Sequence, residues 1–285
     1  MAGSSQPETK QVAVARIEQG GTRAVLITGT GKHVVLQGLK DTCLNITGME
    51  TLNIGEDGSL KYSLSALSSM PEWHTLRIPK GGEYKIVLDD GTEIWLNSAS
   101  ELKYPAHFVG NERRVQLTGE AYFQVARNEA APFIVETRDM DVKVLGTSFN
   151  VRDYQDENFL ETTLVNGKVA FERGGNYSYL KPGEQLRLNK EDGKTTVETV
   201  DVLLYCSWKD GRFVFEKQRL EVIMNTIARW YNINVFYESS SVKDILFTGN
   251  IKRYSDLEQV VNMLKLINKI DIEIKDRNVF VRNNE

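Results

Sequence analysis

The sequence predicts a mainly β protein in two parts, a β-sandwich or barrel followed by a small α+β domain. The chain has 285 residues, enough for two domains of ordinary size. Of its 22 glycines, 21 fall at or before Gly211, and the last proline is Pro182. Turn residues recur about every ten residues in this first part, with short β-rich runs between them, which is typical of a sandwich or barrel. Beyond Gly211 the apolar residues take helical spacing instead.

The change in composition near Val200–Gly211 marks the expected boundary between the two parts. On this division, residues 1–19 form a flexible end, residues 20–204 form the β-sandwich domain, and residues 205–285 form the small C-terminal domain. The first ten residues are polar, which favours a frayed end. No run approaches the roughly 20 apolar residues of a membrane helix, and no signal peptide is recognisable, so we expect any membrane anchor to lie upstream.

An internal repeat predicts two related hairpins in the first part. Residues Leu26–Gln37 align with Ile86–Asn97, and each copy has a glycine at the last loop position. In the second copy, a three-residue loop at Asp89–Gly91 places one set of apolar residues on a single face, whereas a two-residue loop mixes the two faces. The face predicted to enter the core consists of Tyr84, Ile86, Leu88, Thr92, Ile94 and Leu96.

The tail predicts two β-α-β units of about forty residues each, which together make a small α+β domain. The first unit has a strand, a helix and a strand at Phe213–Phe215, Arg219–Tyr231 and Asn234–Tyr237. The second has a strand at Leu246–Ile251, a helix at Ser255–Leu266, and strands at Ile270–Ile274 and Val279–Val281. Both helices carry an apolar stripe that we assign to the core. Ser255 with Glu258 has the spacing of a capping box.

Composition argues against several classes of function. The net charge is -4, and no basic run is present, so nucleic-acid binding is not expected. Cys43 and Cys206 lie far apart and have no metal-site spacing, and we expect two small buried side chains in preference to a disulfide. The three histidines form no metal motif, so neither a metal nor another cofactor is predicted.

Two acidic features could belong to a hydrolase. Asp89 and Asp90 form a carboxylate pair, but their place in a hairpin loop is explained by turn chemistry, which we prefer. Glu120 lies among strand-forming residues and could be a buried acid, although no partner carboxylate is identifiable. The sequence therefore predicts no enzyme.

Ten short motifs resemble those of FecR-family anti-sigma factors of the Bacteroidetes type, specifically their periplasmic region. They occur in the order that the family shows, and the first eight lie within about residues 20–190. The motifs are Pro79–Tyr84, Leu88–Asn97, Leu102–Pro105, Arg114–Val125, Pro132–Val135, Val144–Val151, Val165–Val169, Leu180–Gln185, Trp208–Gly211 and Ala228–Tyr231.

The resemblance implies both a fold and a function. It implies a β-sandwich of jelly-roll type and a small domain similar to the signalling domain of secretins and TonB receptors. It also implies the periplasmic region of a single-pass inner-membrane protein. Such a region senses the occupied state of an outer-membrane TonB-dependent transporter through the transporter's signalling domain. A cytoplasmic part, absent from this sequence, acts on an extracytoplasmic-function sigma factor.

The resemblance raises one chemical possibility, because some family members cleave themselves between a glycine and a threonine. The matching bond here is Gly146–Thr147, where the threonine hydroxyl would attack the preceding carbonyl. We prefer the simpler interpretation, in which a turn glycine precedes a β-branched strand residue. No base for this reaction is identifiable from the sequence.

The residues leave a second class of function open, a carbohydrate-binding β-sandwich module. The aromatic content is 9%, which is ordinary and does not point to a sugar site. For the sensor, we expect the small domain to be the docking surface, with recognition by strand addition at a free sheet edge. Trp95 is expected to pack against a second sheet.

Overall fold

The structure is a computed structural model that describes residues 17–45, 50–64, 70–173, 176–266 and 270–284. Most of the end predicted at 1–19 therefore lies outside the described residues. None of the helices in these ranges has the length and apolar character that a membrane crossing requires.

The first part consists of short strands that together form one large curled sheet. The strands are β1 Gly21–Thr22, β2 Val25–Ile27, β3 His33–Val35, β4 Thr42–Asn45, β5 Glu50–Ile54, β6 Leu60–Leu64, β7 Trp73–Arg77, β8 Gly82–Val87, β9 Glu93–Leu96, β10 Glu101–Pro105, β11 Arg113–Gln124, β12 Phe133–Glu136, β13 Asp141–Val144, β14 Ser148–Asp153, β15 Phe159–Asn166, β16 Val169–Arg173, β17 Asn176–Leu180, β18 Glu184–Asn189 and β19 Thr195–Thr199.

The curled sheet folds into two layers that pack on each other, and strand β11 belongs to both. One layer runs β3-β2-β7-β10-β11-β12-β13-β16-β17. The other runs β4-β5-β6-β8-β9-β11-β14-β15-β18-β19. Apolar residues from both layers form a single core between Ala24 and Leu188.

Strand β11 passes from one layer to the other at Gly119. Residues before it pair with β10 and β12, and those from Gly119 onward pair with β14 and then β9. Gly119 has φ of 96°, and a Cβ there would lie 2.7 Å from the Cα of Ser100. Only glycine accommodates both the left-handed backbone and this close approach, so Gly119 permits the bend that links the two layers.

Both predicted hairpins are confirmed. In the second, Tyr84 pairs with Leu96 and Ile86 with Ile94, and the loop is closed by the Leu88 N–H donating to the Thr92 carbonyl at 2.9 Å. All six residues of the predicted core face are buried. In the first, Leu26 pairs with Val34 across a three-residue loop. Period-two alternation was therefore sufficient to set the register.

The small domain follows a linking segment. The segment contains helix α1 Leu203–Cys206 and a 3₁₀ turn at Ser207–Asp210. The elements that follow are β20 Arg212–Arg219, α2 Leu220–Tyr231, β21 Asn234–Tyr237, α3 Ser240–Lys243, β22 Leu246–Lys252, α4 Leu257–Lys265, β23 Ile270–Lys275 and β24 Asn278–Asn283. Strand β20 pairs with β22, and β24 lies between β21 and β23. Helices α2 and α4 bury their apolar stripes in a second core.

These elements confirm the mainly β, jelly-roll-like fold class with a following α+β domain, but two local predictions are wrong. Helix α4 begins at Leu257 after Asp256, with no side-chain cap, so Ser255 and Glu258 form no capping box. Ser255 instead lies in a turn, and its carbonyl accepts the Tyr231 hydroxyl at 2.6 Å. Cys43 was expected to be buried and is exposed, while Cys206 is buried and both are free.

Candidate functional site: the junction between the two parts

The linking segment packs on the outside of the sandwich. Trp208 and Cys206 form a small cluster with Tyr122, and the Trp208 indole N–H donates to Asn150 Oδ1 at 3.0 Å. Trp95 lies at the edge of this cluster, with its ring 5.8 Å from that of Tyr122. The expectation that Trp95 packs against a second sheet is therefore wrong, because the linking segment covers that face of its hairpin.

Glu120 is the centre of a buried polar cluster beneath the linking segment. Its carboxylate accepts hydrogen bonds from Asn97 at 2.7 Å, Asn150 at 3.1 Å and Arg152 at 3.2 Å. Asn150 and Arg152 lie on β14, where Arg152 is opposite Glu120 in the sheet register, and Asn97 follows the end of β9 on the other side of β11. With these donors around a side chain that is 3% exposed, Glu120 is a structural acid whose oxygens are already engaged.

Glu157 joins the sandwich to helix α2 of the small domain. It accepts two hydrogen bonds from Arg152, at 2.6 and 2.8 Å, and one from Arg229 at 2.6 Å. Arg229 also donates to Asp156 at 2.7 Å and stacks on the ring of Tyr154. Burial alone would raise the pKa of Glu157, but attraction from Arg152 and Arg229 outweighs it and lowers the pKa to about 2.

Arg253 is the second cation that the small domain contributes to the junction, after Arg229, and it is fully buried. Its guanidinium donates to Asn97 Oδ1 at 2.6 Å and to the Trp208 carbonyl at 3.1 Å, and lies 3.8 Å from the ring of Trp230. The nearest carboxylate contact in the described residues is Glu83 at 3.5 Å. This one distant carboxylate compensates the charge only in part, and burial therefore lowers the pKa of Arg253.

The comparisons with known proteins agree with this two-part organisation. The family model described as "FecR protein" matches residues 74–170, and the one described as "FecR, C-terminal" matches residues 212–281. Together they match more than half of the chain. The chain belongs to the FecR family of anti-sigma factors.

This FecR-family chain also resembles solved structures. Two crystal structures of a proposed anti-sigma factor from Parabacteroides distasonis ATCC 8503 share 29% identity with it, each with a TM-score of 0.69. They cover 74% and 75% of this chain and 99% and 100% of the respective solved chains. No curated protein matches. The family is one of membrane-anchored signalling proteins that act on sigma factors, which is the role we assign to this protein.

The FecR motifs converge on the junction although they are far apart in the sequence. Asn97, Glu120 and Asn150 lie in three sandwich motifs, while Trp208 and Arg229 lie in the two motifs of the tail. The hydrogen bonds described above join the first four of these residues in one cluster and attach Arg229 to Glu157 in a second cluster. Sequence reasoning did not single out Asn97 or Asn150, because nothing local indicates that distant amides would meet Glu120.

Two further junction residues, Arg253 and Glu157, were not predicted. Strand β22 places Phe247 and Ile251 on its buried face, and Arg253 continues that alternation. The period-two pattern could therefore have identified an arginine in a core position. No comparable signal marks Glu157, which precedes strand β15 in a turn.

The acidic pair of the FecR hairpin has a structural role, as preferred from the sequence. The Asp90 carboxylate accepts a hydrogen bond from the Thr92 backbone N–H at 2.9 Å and forms an ion pair with Arg113 at 2.6 Å. The Asp89 carboxylate accepts a hydrogen bond from the Phe108 backbone N–H at 3.1 Å. These contacts close and brace the loop, whereas Glu120 has its own separate set of partners.

The Gly146–Thr147 bond lies between β13 and β14. A Cβ on Gly146 would lie 2.7 Å from the Cα of Arg127, so close backbone approach accounts for the glycine. Thr147 is buried, and its hydroxyl donates to the Lys168 carbonyl at 3.0 Å. A carbonyl cannot act as a general base. Self-cleavage at this bond stays untested, and the turn interpretation remains the one that we prefer.

Proposed function

We propose that this chain is the periplasmic sensor region of a single-pass inner-membrane anti-sigma factor. It relays the occupied state of an outer-membrane TonB-dependent transporter to an extracytoplasmic-function sigma factor. The relay proceeds by protein–protein contact, with the small domain as the docking surface and no catalytic step. Membrane attachment is through an anchor upstream of the sandwich.

The observation that carries this proposal is an exposed aromatic face on the small domain. Phe236 is 49% exposed, and its ring stacks on that of Phe280 at 5.3 Å. Neighbouring residues Val279 and Val281 face the opposite way, into the core. Aromatic side chains left in water on a sheet face are typical of a protein interaction site.

The adjacent strand edge suits an extended partner segment. Strand β21 pairs with β24, and the N–H groups of Asn234 and Glu238 donate toward that side. By alternation, the main-chain groups of Val235 and Tyr237 point to the other side of β21. In the described residues, no strand pairs with that side. A partner strand could therefore extend the sheet and cover Phe236 at the same time.

The test is calorimetric titration of the chain with the isolated signalling domain of a TonB-dependent transporter encoded beside it. We expect saturable binding that is at least about tenfold weaker in Phe236→Asp, because a charge would be buried in the interface. Val197→Asp is the matched control, since Val197 lies on the sandwich edge and is 47% exposed.

The outcomes separate the claims. Absence of binding by the folded wild-type chain would reject the transporter relay, and stabilisation by glycans in its place would favour the carbohydrate-binding alternative. Binding that Phe236→Asp does not weaken would keep the relay but move the docking surface elsewhere.

A further inference from the structure

The N-terminal segment of the described chain crosses the junction. Ile17 packs against the core of the small domain, whereas Gly21–Thr22 pairs with Gly82–Glu83 of the sandwich. Between them, Gly20 lies against the ring of Trp230. We call residues 17–22 the strap, because they contact both parts of the protein.

The strap packs on Trp230, its seat in the small domain, and the residues around this indole also hold the two parts of the protein together. A Cβ on Gly20 would lie 2.5 Å from Trp230 Cε3, so the strap backbone is pressed against the indole. Trp230 is 1% exposed and donates its N–H to the Arg253 carbonyl at 2.7 Å. The guanidinium of Arg253 lies over the same ring. Moving the small domain would therefore remove the surface on which Gly20 rests.

One turn of the sandwich connects the strap to helix α2. The Gly81 carbonyl accepts the Gly21 N–H at 3.0 Å, and the Gly81 N–H donates to the Arg229 carbonyl at 2.7 Å. The side chain of Arg229 donates to Asp156 and Glu157 nearby. The strap and the last turn of α2 are thus attached to the same glycine residue, on opposite sides.

Separation of the two parts would leave both cores intact. The sandwich core draws its buried residues from Ala24–Leu188, and the core of the small domain draws them from Phe213–Val281. The contacts between the parts include the ion pairs of Arg229 with Asp156 and Glu157. Polar contacts of this kind are typical of interfaces that open and close. Parting would also return the partly compensated charge of Arg253 to water, which offsets some of the contacts that are lost.

We propose that the strap is the transmitting element of the sensor, seated only while the small domain is closed on the sandwich and released when the two parts separate. Docking on the small domain and an upstream membrane anchor, as proposed above, would make this release a signal toward the membrane. That role rests on the proposed function, but the coupling between junction and strap is a property of this chain alone. Its test therefore uses no transporter domain.

The first experiment compares two neighbouring glycines by hydrogen exchange with mass spectrometry. Gly20→Ala places a methyl group into the Trp230 ring, whereas Gly21→Ala meets no atom within 4 Å. We expect the amides of residues 21–23 to exchange about tenfold faster in Gly20→Ala, with Gly21→Ala close to wild type. Equal exchange in the two variants would overturn the seat assigned to Gly20.

The second experiment loosens the junction from its far side. Arg229→Gln removes the charge that pairs with Asp156 and Glu157, and its control, Arg282→Gln, removes an ion pair with Glu273 that lies within the small domain. We expect faster exchange of the strap amides, again about tenfold, in Arg229→Gln alone. Thermal melting establishes that each variant is folded. Unchanged strap exchange in folded Arg229→Gln would overturn the coupling, whatever the outcome of the transporter titration.

Discussion

Replacing Glu157 with glutamine removes one negative charge from the junction while it preserves the shape of the side chain. Glu157 accepts hydrogen bonds from Arg152 of the sandwich and Arg229 of the small domain, each at 2.6 Å in its shortest contact. The substitution leaves both guanidinium groups buried with less compensation. Removing one partner of a buried ion pair strongly destabilises the folded protein, because the other charge stays buried without compensation, whereas removing one partner of an exposed pair does not.

The magnitude follows from the pKa of Glu157. Burial favours the neutral carboxyl, but the two arginines outweigh it and lower the pKa from 4.5 to about 2. This lowering corresponds to about 3 kcal/mol in favour of the folded state at neutral pH. Because the pKa is depressed on folding, the contribution is complete above about pH 4.5 and is lost as the pH falls through about 2. We expect Glu157→Gln to cost about 3 kcal/mol at about pH 7, and about 1 kcal/mol at about pH 3.

The assay is urea unfolding of both proteins at the two pH values, followed by tryptophan fluorescence. Glu136→Gln is the matched control, because Glu136 is 38% exposed and lies 3.4 Å from Arg114. Such a surface pair contributes between about 0 and 1 kcal/mol. A Glu157→Gln cost that equals that of the control, or that does not shrink in acid, would refute the assignment of Glu157 as the buried link.

Three further predictions concern the sandwich and the cysteines. Gly119→Ala should lower the free energy of unfolding by about 2 kcal/mol or more in urea titration, because its left-handed backbone and crowded site exclude a methyl group; an unchanged midpoint would contradict this. A thiol reagent should modify Cys43 in the native protein but spare Cys206, whose pKa burial raises to about 12; rapid modification of both thiols would be inconsistent with the fold. Fresh protein should run as one band, and a fragment beginning at Thr147 would instead establish cleavage of the Gly146–Thr147 bond.

Local periodicity was enough to predict most of the elements. The hairpin at Asp89–Gly91 was assigned its loop length and core face from alternation alone, because successive strand residues point to opposite faces. The stripes of α2 and α4 were assigned from helical spacing in the same way. The capping prediction at Ser255 failed because the carbonyl of Ser255 accepts the hydroxyl of Tyr231, a residue distant in the sequence that no pattern near Ser255 indicates.

The candidate site was much less predictable. Glu120 was recognised as a possible buried acid, but its partners Asn97, Asn150 and Arg152 are brought to it by strand pairing across large separations in the chain. Trp95 was assigned the wrong neighbour for a related reason. The segment that covers its face contains Cys206 and Trp208 and lies far beyond Trp95 in the chain, and no pattern around Trp95 specifies that contact.

The sequence by itself determined the two-part fold class, the hairpins, the helices of the tail and the resemblance to FecR proteins, because each of these depends on short-range patterns. Only the tertiary structure decided that Glu157, Arg229 and Arg253 meet at one junction and that Gly20 rests on Trp230 there. Those contacts depend on how two separately folded cores are placed against each other. That placement is set by a few buried charges and close backbone approaches, which leave almost no periodic trace in the chain.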